Sequence, residues 1–292
     1  MSNNCNSVAT LQARLRVKFP APAAFTGQSH FVHNIAEATG VDVHELLQRH
    51  TLWPLFAAFP NEREGGASSG EDRSADSFST VWTRVVRPRL ALCLNCIDAD
   101  LAALHISYWR RSHQVPGLFH CPVHGRELQF VRQSLSTLSR PHEMAAGAEA
   151  GHAEAVSAAQ NAEISRRTVL VMQEILDRPR TVSRQQVRLG LQPLSLNFSA
   201  SASLGKSIFV IEEKVRGAIS EPWLNDLMPN TKRPETRIST ALRSVLSYNS
   251  LAMSAGSVAL TTATLVPSVA HCFELLFPAN DGESLHSIHA VP

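Results

Sequence analysis

Two short cysteine motifs carry the clearest chemistry in the chain. Cys93-Leu94-Asn95-Cys96 is followed, after 24 residues, by Cys121-Pro122-Val123-His124. A Cys-x-x-Cys turn holds two thiolates about one metal radius apart. A Cys-x-x-His turn supplies the remaining two corners of a tetrahedron. Three sulfurs and one imidazole suit Zn2+ in a closed structural site, because zinc has no electronic preference for shape. Gly125, directly after His124, suits a tight turn at the second knuckle. Four protein ligands leave no open position for water, so the expected zinc is structural rather than catalytic.

Three further histidines lie near these motifs. His120 adjoins Cys121 and competes with His124 as a ligand, although the x-x spacing favours His124. His113 is either a buried hydrogen-bonding residue or a ligand in an altered site. His105 is expected on an exposed helix face. Cys5 and Cys272 lack partners in sequence and read as ordinary thiols.

Other catalytic signatures are missing. His152-Ala153-Glu154 matches the opening of a deaminase motif, yet the required downstream Pro-Cys-x-x-Cys is absent. No nucleophile elbow, phosphate loop or dinucleotide fingerprint occurs. The expectation is a protein that is not an enzyme.

The elements that must position the cysteines are mainly helical. At 292 residues and 44% hydrophobic, the chain has enough apolar material for a substantial core. Asp42 is a favoured cap residue for a helix from Val43 to Arg49, after a helix that starts near His30 and stops at Gly40. That pair has the outline of a helix-turn-helix. Ile164, Val169, Met172, Ile175 and Leu176 define an amphipathic helix ending before Pro179. Short helices are expected from Ser183 to Leu189, Ser207 to Ile219, over 237–249, and from Pro267 to Phe277. The anticipated fold is mainly α, with helical domains flanking a Cys3His zinc-finger module. Its parts are an N-terminal helical region (1–64), the finger (80–140), an alanine-rich linker (141–163), a C-terminal helical region open to a helix-turn-helix-like arrangement (164–277) and a loose tail (278–292).

Charge is distributed unevenly. Residues 84–140 carry 8 basic and 3 acidic side chains, residues 141–163 carry 4 acidic and none basic, and residues 164–243 carry 13 basic and 7 acidic. Only four of the 27 basic residues are lysines. Arginine's planar donor fork suits phosphates and base edges, which favours a nucleic-acid partner; a GC-rich genome is the bland alternative. Arg110 and Arg111 in the finger, and Arg180, Arg184 and Arg188 on a capped helix, are the candidate DNA contacts. No stretch is long and apolar enough for a membrane span; Leu251 to Leu265 comes nearest. The N-terminus lacks signal-peptide character, so a cytoplasmic, non-membrane chain is expected.

The string Tyr108-Trp109-Arg110-Arg111-Ser112-His113-Gln114-Val115-Pro116-Gly117, with the cysteine knuckle before it and Cys121-Pro122-Val123-His124-Gly125-Arg126-Glu127-Leu128 after it, resembles the TniQ family. The match is specific over roughly residues 85–130. Glu221-Pro222-Trp223-Leu224 is loosely similar to the helical C-terminal part of such proteins. The resemblance implies a target-recognition subunit working beside a transposase and an ATP-dependent transposition regulator. This chain has cysteines for one zinc site only, whereas some family members carry a second. Two functions follow: a DNA-binding target selector, or a scaffold gripping a protein or ribonucleoprotein partner with little DNA affinity of its own.

Overall fold

The computed structural model describes residues 36–37, 39–59, 89–132, 139–150, 162–196, 204–228, 236–247 and 253–277. The first of these segments opens with part of the expected His30–Gly40 helix; residues 30–35, the linker from 151 to 161 and the tail lie outside them. Helix α1 (Val43–His50) begins where Asp42 accepts the His44 and Glu45 backbone N–H groups at 2.8 and 3.1 Å. Helix α2 (Trp53–Ala57) follows with Pro54 in its first turn, where a missing N–H costs nothing.

The finger holds three short strands that the hydrophobic pattern did not reveal. Strand β1 (Arg89–Leu92) runs directly into helix α3 (Leu94–Leu104), and β2 (Gln129–Arg132) pairs antiparallel with it, Leu92 opposite Gln129. After helix α4 (Pro141–Met144), β3 (Glu149–Ala150) joins the other edge of β2. The first residues of the expected linker therefore complete the finger's sheet. Leu92, Ile97 and Val131 form a small apolar cluster of their own, flanked by Trp109 and Met144.

The C-terminal region is built from α5 (Ala162–Asp177), α6 (Arg184–Leu196), α7 (Leu204–Ala218), α8 (Glu221–Leu227), α9 (Arg237–Leu246), α10 (Ala255–Leu265) and α11 (Val269–Leu276). The expected apolar faces are buried: Ile164, Val169, Met172, Ile175 and Leu176 on α5, and Ile238, Leu242, Val245 and Leu246 on α9. Helix α6 outruns its expected end at Leu189. A reciprocal box starts it, in which Ser183 Oγ accepts the Gln186 N–H and Gln186 Oε1 accepts the Ser183 N–H, both at 3.1 Å.

The segment that came nearest to a membrane span is instead the centre of the bundle. Every residue of α10 is buried, and it packs against α5, α6, α9 and α11. Its hydroxyls are satisfied inside the helix: Thr261, Thr262 and Thr264 donate to the carbonyls of Ser257, Val258 and Leu260 at 2.7–2.8 Å. Arg167 closes its C-terminal end, donating to Ala263 O at 2.8 and 3.1 Å and to Pro267 O at 3.3 Å. No helix among the described residues is long and apolar enough to cross a membrane. One contiguous core links Leu55 and Phe59, the finger residues Val115, Phe119 and Leu128, and the C-terminal Trp223 and Leu260.

Candidate metal centre and the joint around it

Cys93 directly follows β1 and serves as the N-cap of α3, so the strand-to-helix switch aims its thiol and that of Cys96 toward one point. Ile97 N–H donates to Cys93 O at 3.0 Å and closes this knuckle. The second knuckle is the tip of a hairpin. Leu128 N–H meets Phe119 O, Cys121 N–H meets Arg126 O, and Gly125 N–H meets Cys121 O, all at 2.7–2.8 Å. Gly125 sits at φ 64° with open space where a Cβ would stand, so the glycine serves backbone conformation alone.

The ligand atoms of Cys93, Cys96, Cys121 and His124 all lie within 4.8 Å of one another. Cys96 Sγ is 3.6 Å from Cys121 Sγ, and His124 Nδ1 is 3.3, 3.6 and 3.7 Å from the sulfurs of Cys96, Cys121 and Cys93. Around an ion at the usual ligand distances, a tetrahedron has S···S edges of about 3.8 Å and S···N edges of about 3.5 Å. The spacing fits such an ion, and at 3.6 Å the Cys96 and Cys121 sulfurs are not bonded to each other. Burial, with Cys121 and Cys93 beside it, pushes the Cys96 thiol up to about 12, while Arg110 pulls the other way. A divalent cation reverses that balance by stabilising the thiolates. The four residues could therefore hold a metal ion.

His113 is 2% exposed and stands outside this set of four. Its Nε2 lies 3.7 Å from Cys96 Sγ and 3.5 Å from Cys121 Sγ. With a proton on Nε2 it donates toward two thiolates, which offsets the net negative charge that three thiolates leave around a divalent ion. His113→Gln is expected to keep one metal per chain while lowering unfolding free energy by about 1–2 kcal/mol. Metal analysis beside urea unfolding checks this; metal lost with the imidazole would make His113 a ligand. His120 is exposed and bridges to Glu127 across the hairpin, and His105 caps α3 at φ 57°. Cys272 lies on the buried face of α11, its thiol pushed up to about 11 by burial.

The TniQ family model matches residues 3–128, ending on the leucine that closes the second knuckle's hairpin. This part of the chain resembles TniQ. The Transposon Tn7 transposition protein TnsD of Escherichia coli is 25% identical over 240 residues, covering 78% of this chain and 46% of its own length. The chain thus spans about half the length of this curated relative.

Most of the TniQ-like string works inward, as a joint. Gln114 behaves as a strand partner, with Oε1 accepting Ala91 N–H at 3.0 Å and Nε2 donating to Ala91 O at 2.8 Å. Trp109 donates to Ser139 O at 3.0 Å. Pro116 is buried, while Tyr108 is exposed under the Arg110 guanidinium, 5.1 Å from its ring centre. Gly117 sits at φ 79°, donates to Asp226 Oδ2 at 2.6 Å and accepts from the Trp223 indole at 2.8 Å. A Cβ there would meet the Trp223 ring at 3.0 Å. The isolated Glu221-Pro222-Trp223-Leu224 similarity marks the other half of this contact.

The expected DNA contacts divide sharply by burial. Arg110 bonds the buried Asp100 at 2.6 Å. Arg111 donates to Gln48 O and Thr51 O near the end of α1, and to Leu176 O at 3.2 Å near the end of α5. Helix C-termini carry partial negative charge, so one guanidinium binds two helices to the finger. Arg184 and Arg188 are 4% and 6% exposed, which removes both from a surface that phosphate can reach. Helical periodicity did not anticipate this, because α6 turns those positions inward beside Val187 and Leu191. Arg180 remains exposed. Arg111→Met keeps the aliphatic stem but removes the donors; about 2–3 kcal/mol of stability should go with metal content unchanged. Loss of metal in that variant would contradict a purely bracing role.

Proposed function

We propose that this chain is a non-enzymatic, cytoplasmic DNA-contacting accessory protein of transposition, which helps choose insertion sites beside a transposase and an ATP-dependent regulator. The observation that carries the reading is the finger itself. The four-donor cluster and its inward-working string lie within, or at the edge of, the segment that matches the TniQ model. Similarity to a transposition protein supports transposition as the process. In this reading the ion is Zn2+, held by Cys93, Cys96, Cys121 and His124, and its work is to fix the knuckles.

Phosphate contact then falls to cations that remain at the surface, among them Arg180, Arg126, Lys206, Lys214 and Arg243. Duplex affinity should fall steeply with salt, and Arg180→Glu should flatten the log–log slope by about 1. Fluorescence anisotropy on a labelled duplex from 50 to 300 mM salt measures both. Weak, salt-insensitive binding would favour the scaffold. A specific observation supports that second reading: Leu94 and Val123 are exposed on the two knuckles, with Leu104, Ile106 and Tyr108 exposed nearby in sequence.

A further inference from the structure

A single 3-10 turn, Arg111–Gln114, joins the metal donors to helices outside the finger. His113 lies 3.7 and 3.5 Å from the sulfurs of Cys96 and Cys121. Gln114 pairs with the backbone of Ala91 on β1. Arg111 reaches the ends of α1 and α5. Two positions along the chain therefore separate the side chain that meets the sulfurs from the one that meets α1.

Helix α1 has little else to hold it. None of its residues is buried, and so short a helix is marginal by itself in water. Asp42 and Thr51 serve its own first and last turns. Among the described residues, the hydrogen bonds that reach 43–51 from beyond residue 53 all come from Arg111, to Gln48 O and, at 3.5 Å, to Thr51 O. Helix α2 is anchored differently: Leu55 is buried, and Ala58 O just past its end accepts the Val182 N–H at 2.9 Å. A cavity of about 130 Å³, lined by Arg111, Ser112, Pro122, Gln173, Leu176 and Asp177, adjoins the joint. Close packing is interrupted there between the second knuckle and α5, and the guanidinium's bonds span the interruption.

We propose that metal binding at Cys93, Cys96, Cys121 and His124 latches α1 through Arg111. With the knuckles drawn together, the 3-10 turn is fixed and aims Arg111 at the carbonyl ends of α1 and α5. Metal release lets Cys96 and Cys121 part, and the support beside His113 goes with them. The guanidinium then loses the geometry for donating to two helix ends at once, and a helix with no buried residue opens readily. Helix α2 keeps its own anchor, and α10 takes its neighbours α5, α6, α9 and α11 from the bundle itself. The inference rests on the metal-holding reading above and adds a regulatory consequence. The exposed side chains of α1, His44, Glu45, Arg49 and His50, keep a fixed place beside the bundle only in the loaded state.

Amide hydrogen exchange of the full chain, read by mass spectrometry with Zn2+ bound and after its removal by EDTA, tests the latch. Metal removal should speed exchange over 43–51 by about tenfold or more, and over 255–265 by less than about twofold. Arg111→Met with one metal still bound should free 43–51 to the same extent, while 94–104 stays within about twofold of the wild type. Arg111→Lys keeps the charge but lacks the fork that serves two helix ends, so it should fall between the two. If Arg111→Met does not fold, Arg111→Lys beside the chelated wild type decides. Three results overturn the proposal: equal protection of 43–51 with and without metal, wild-type protection in metal-loaded Arg111→Met, or joint opening of 43–51 and 255–265. A purified chain that holds no metal would bring down the metal-holding reading as well. A loaded chain whose α1 ignores loading would bring down the latch alone.

Discussion

Cys96→Ser is expected to lose its metal and, with it, the folded state of residues 89–132. Cys96 lies inside the cluster, within 3.3–3.7 Å of Cys121, His113 and His124. Structural zinc in small fingers contributes on the order of 10–16 kcal/mol of apparent binding energy. The finger's own apolar cluster, Leu92, Ile97 and Val131, is far too small to replace that. Protons compete for the same sulfurs, so the metal should be held less tightly as pH falls. Amide exchange over β1, α3 and β2, read beside metal analysis, gives the result. A Cys96→Ser chain that keeps one equivalent of metal, or that protects these amides without it, would refute the ligand set.

The second large effect lies at Gly117, 21 residues after Cys96, where the finger meets α8. Gly117→Ala should destabilise the protein by about 2–4 kcal/mol, because a left-handed backbone and a Cβ contact of 3.0 Å with a buried indole are penalised together. Trp223→Ala opens a cavity at the same place and should cost about 3–5 kcal/mol. The two changes share one contact, so the double variant should fall short of their sum by at least 1 kcal/mol. Urea unfolding of the four proteins measures this. Strict additivity would mean that the glycine and the tryptophan do not act on each other.

How much of this was readable from the residues follows from the range of the forces involved. The cluster of four donor side chains that could hold a metal was legible because each knuckle is a local turn, and four residues at two short spacings define it. The amphipathic helices over 162–177 and 237–246 were legible because one-sided burial writes a period into the chain. Helix α10 was not, since a helix buried all round has no such period, and its polar threonines are buried because their hydroxyls bond inside the helix. The three strands are two to four residues long, too short to show alternation. The arginines misled for a related reason. A guanidinium's reach to Gln48 or Leu176 depends on contacts more than 60 residues away, which charge counts along the chain do not contain.

The Arg111 joint also bears on how the protein is made. As the chain leaves the ribosome from its N-terminus, α1 emerges first, but the guanidinium that binds its end comes some 60 residues later and a second acceptor, Leu176 O, later still. Helix α10, around which α5, α6, α9 and α11 gather, is synthesised after the finger and after α5 to α9. The early helices must wait, without their eventual neighbours, until those later helices are made. A product stopped short of α10 would expose the apolar faces of α5 and α9 together, a ready substrate for chaperones and proteases.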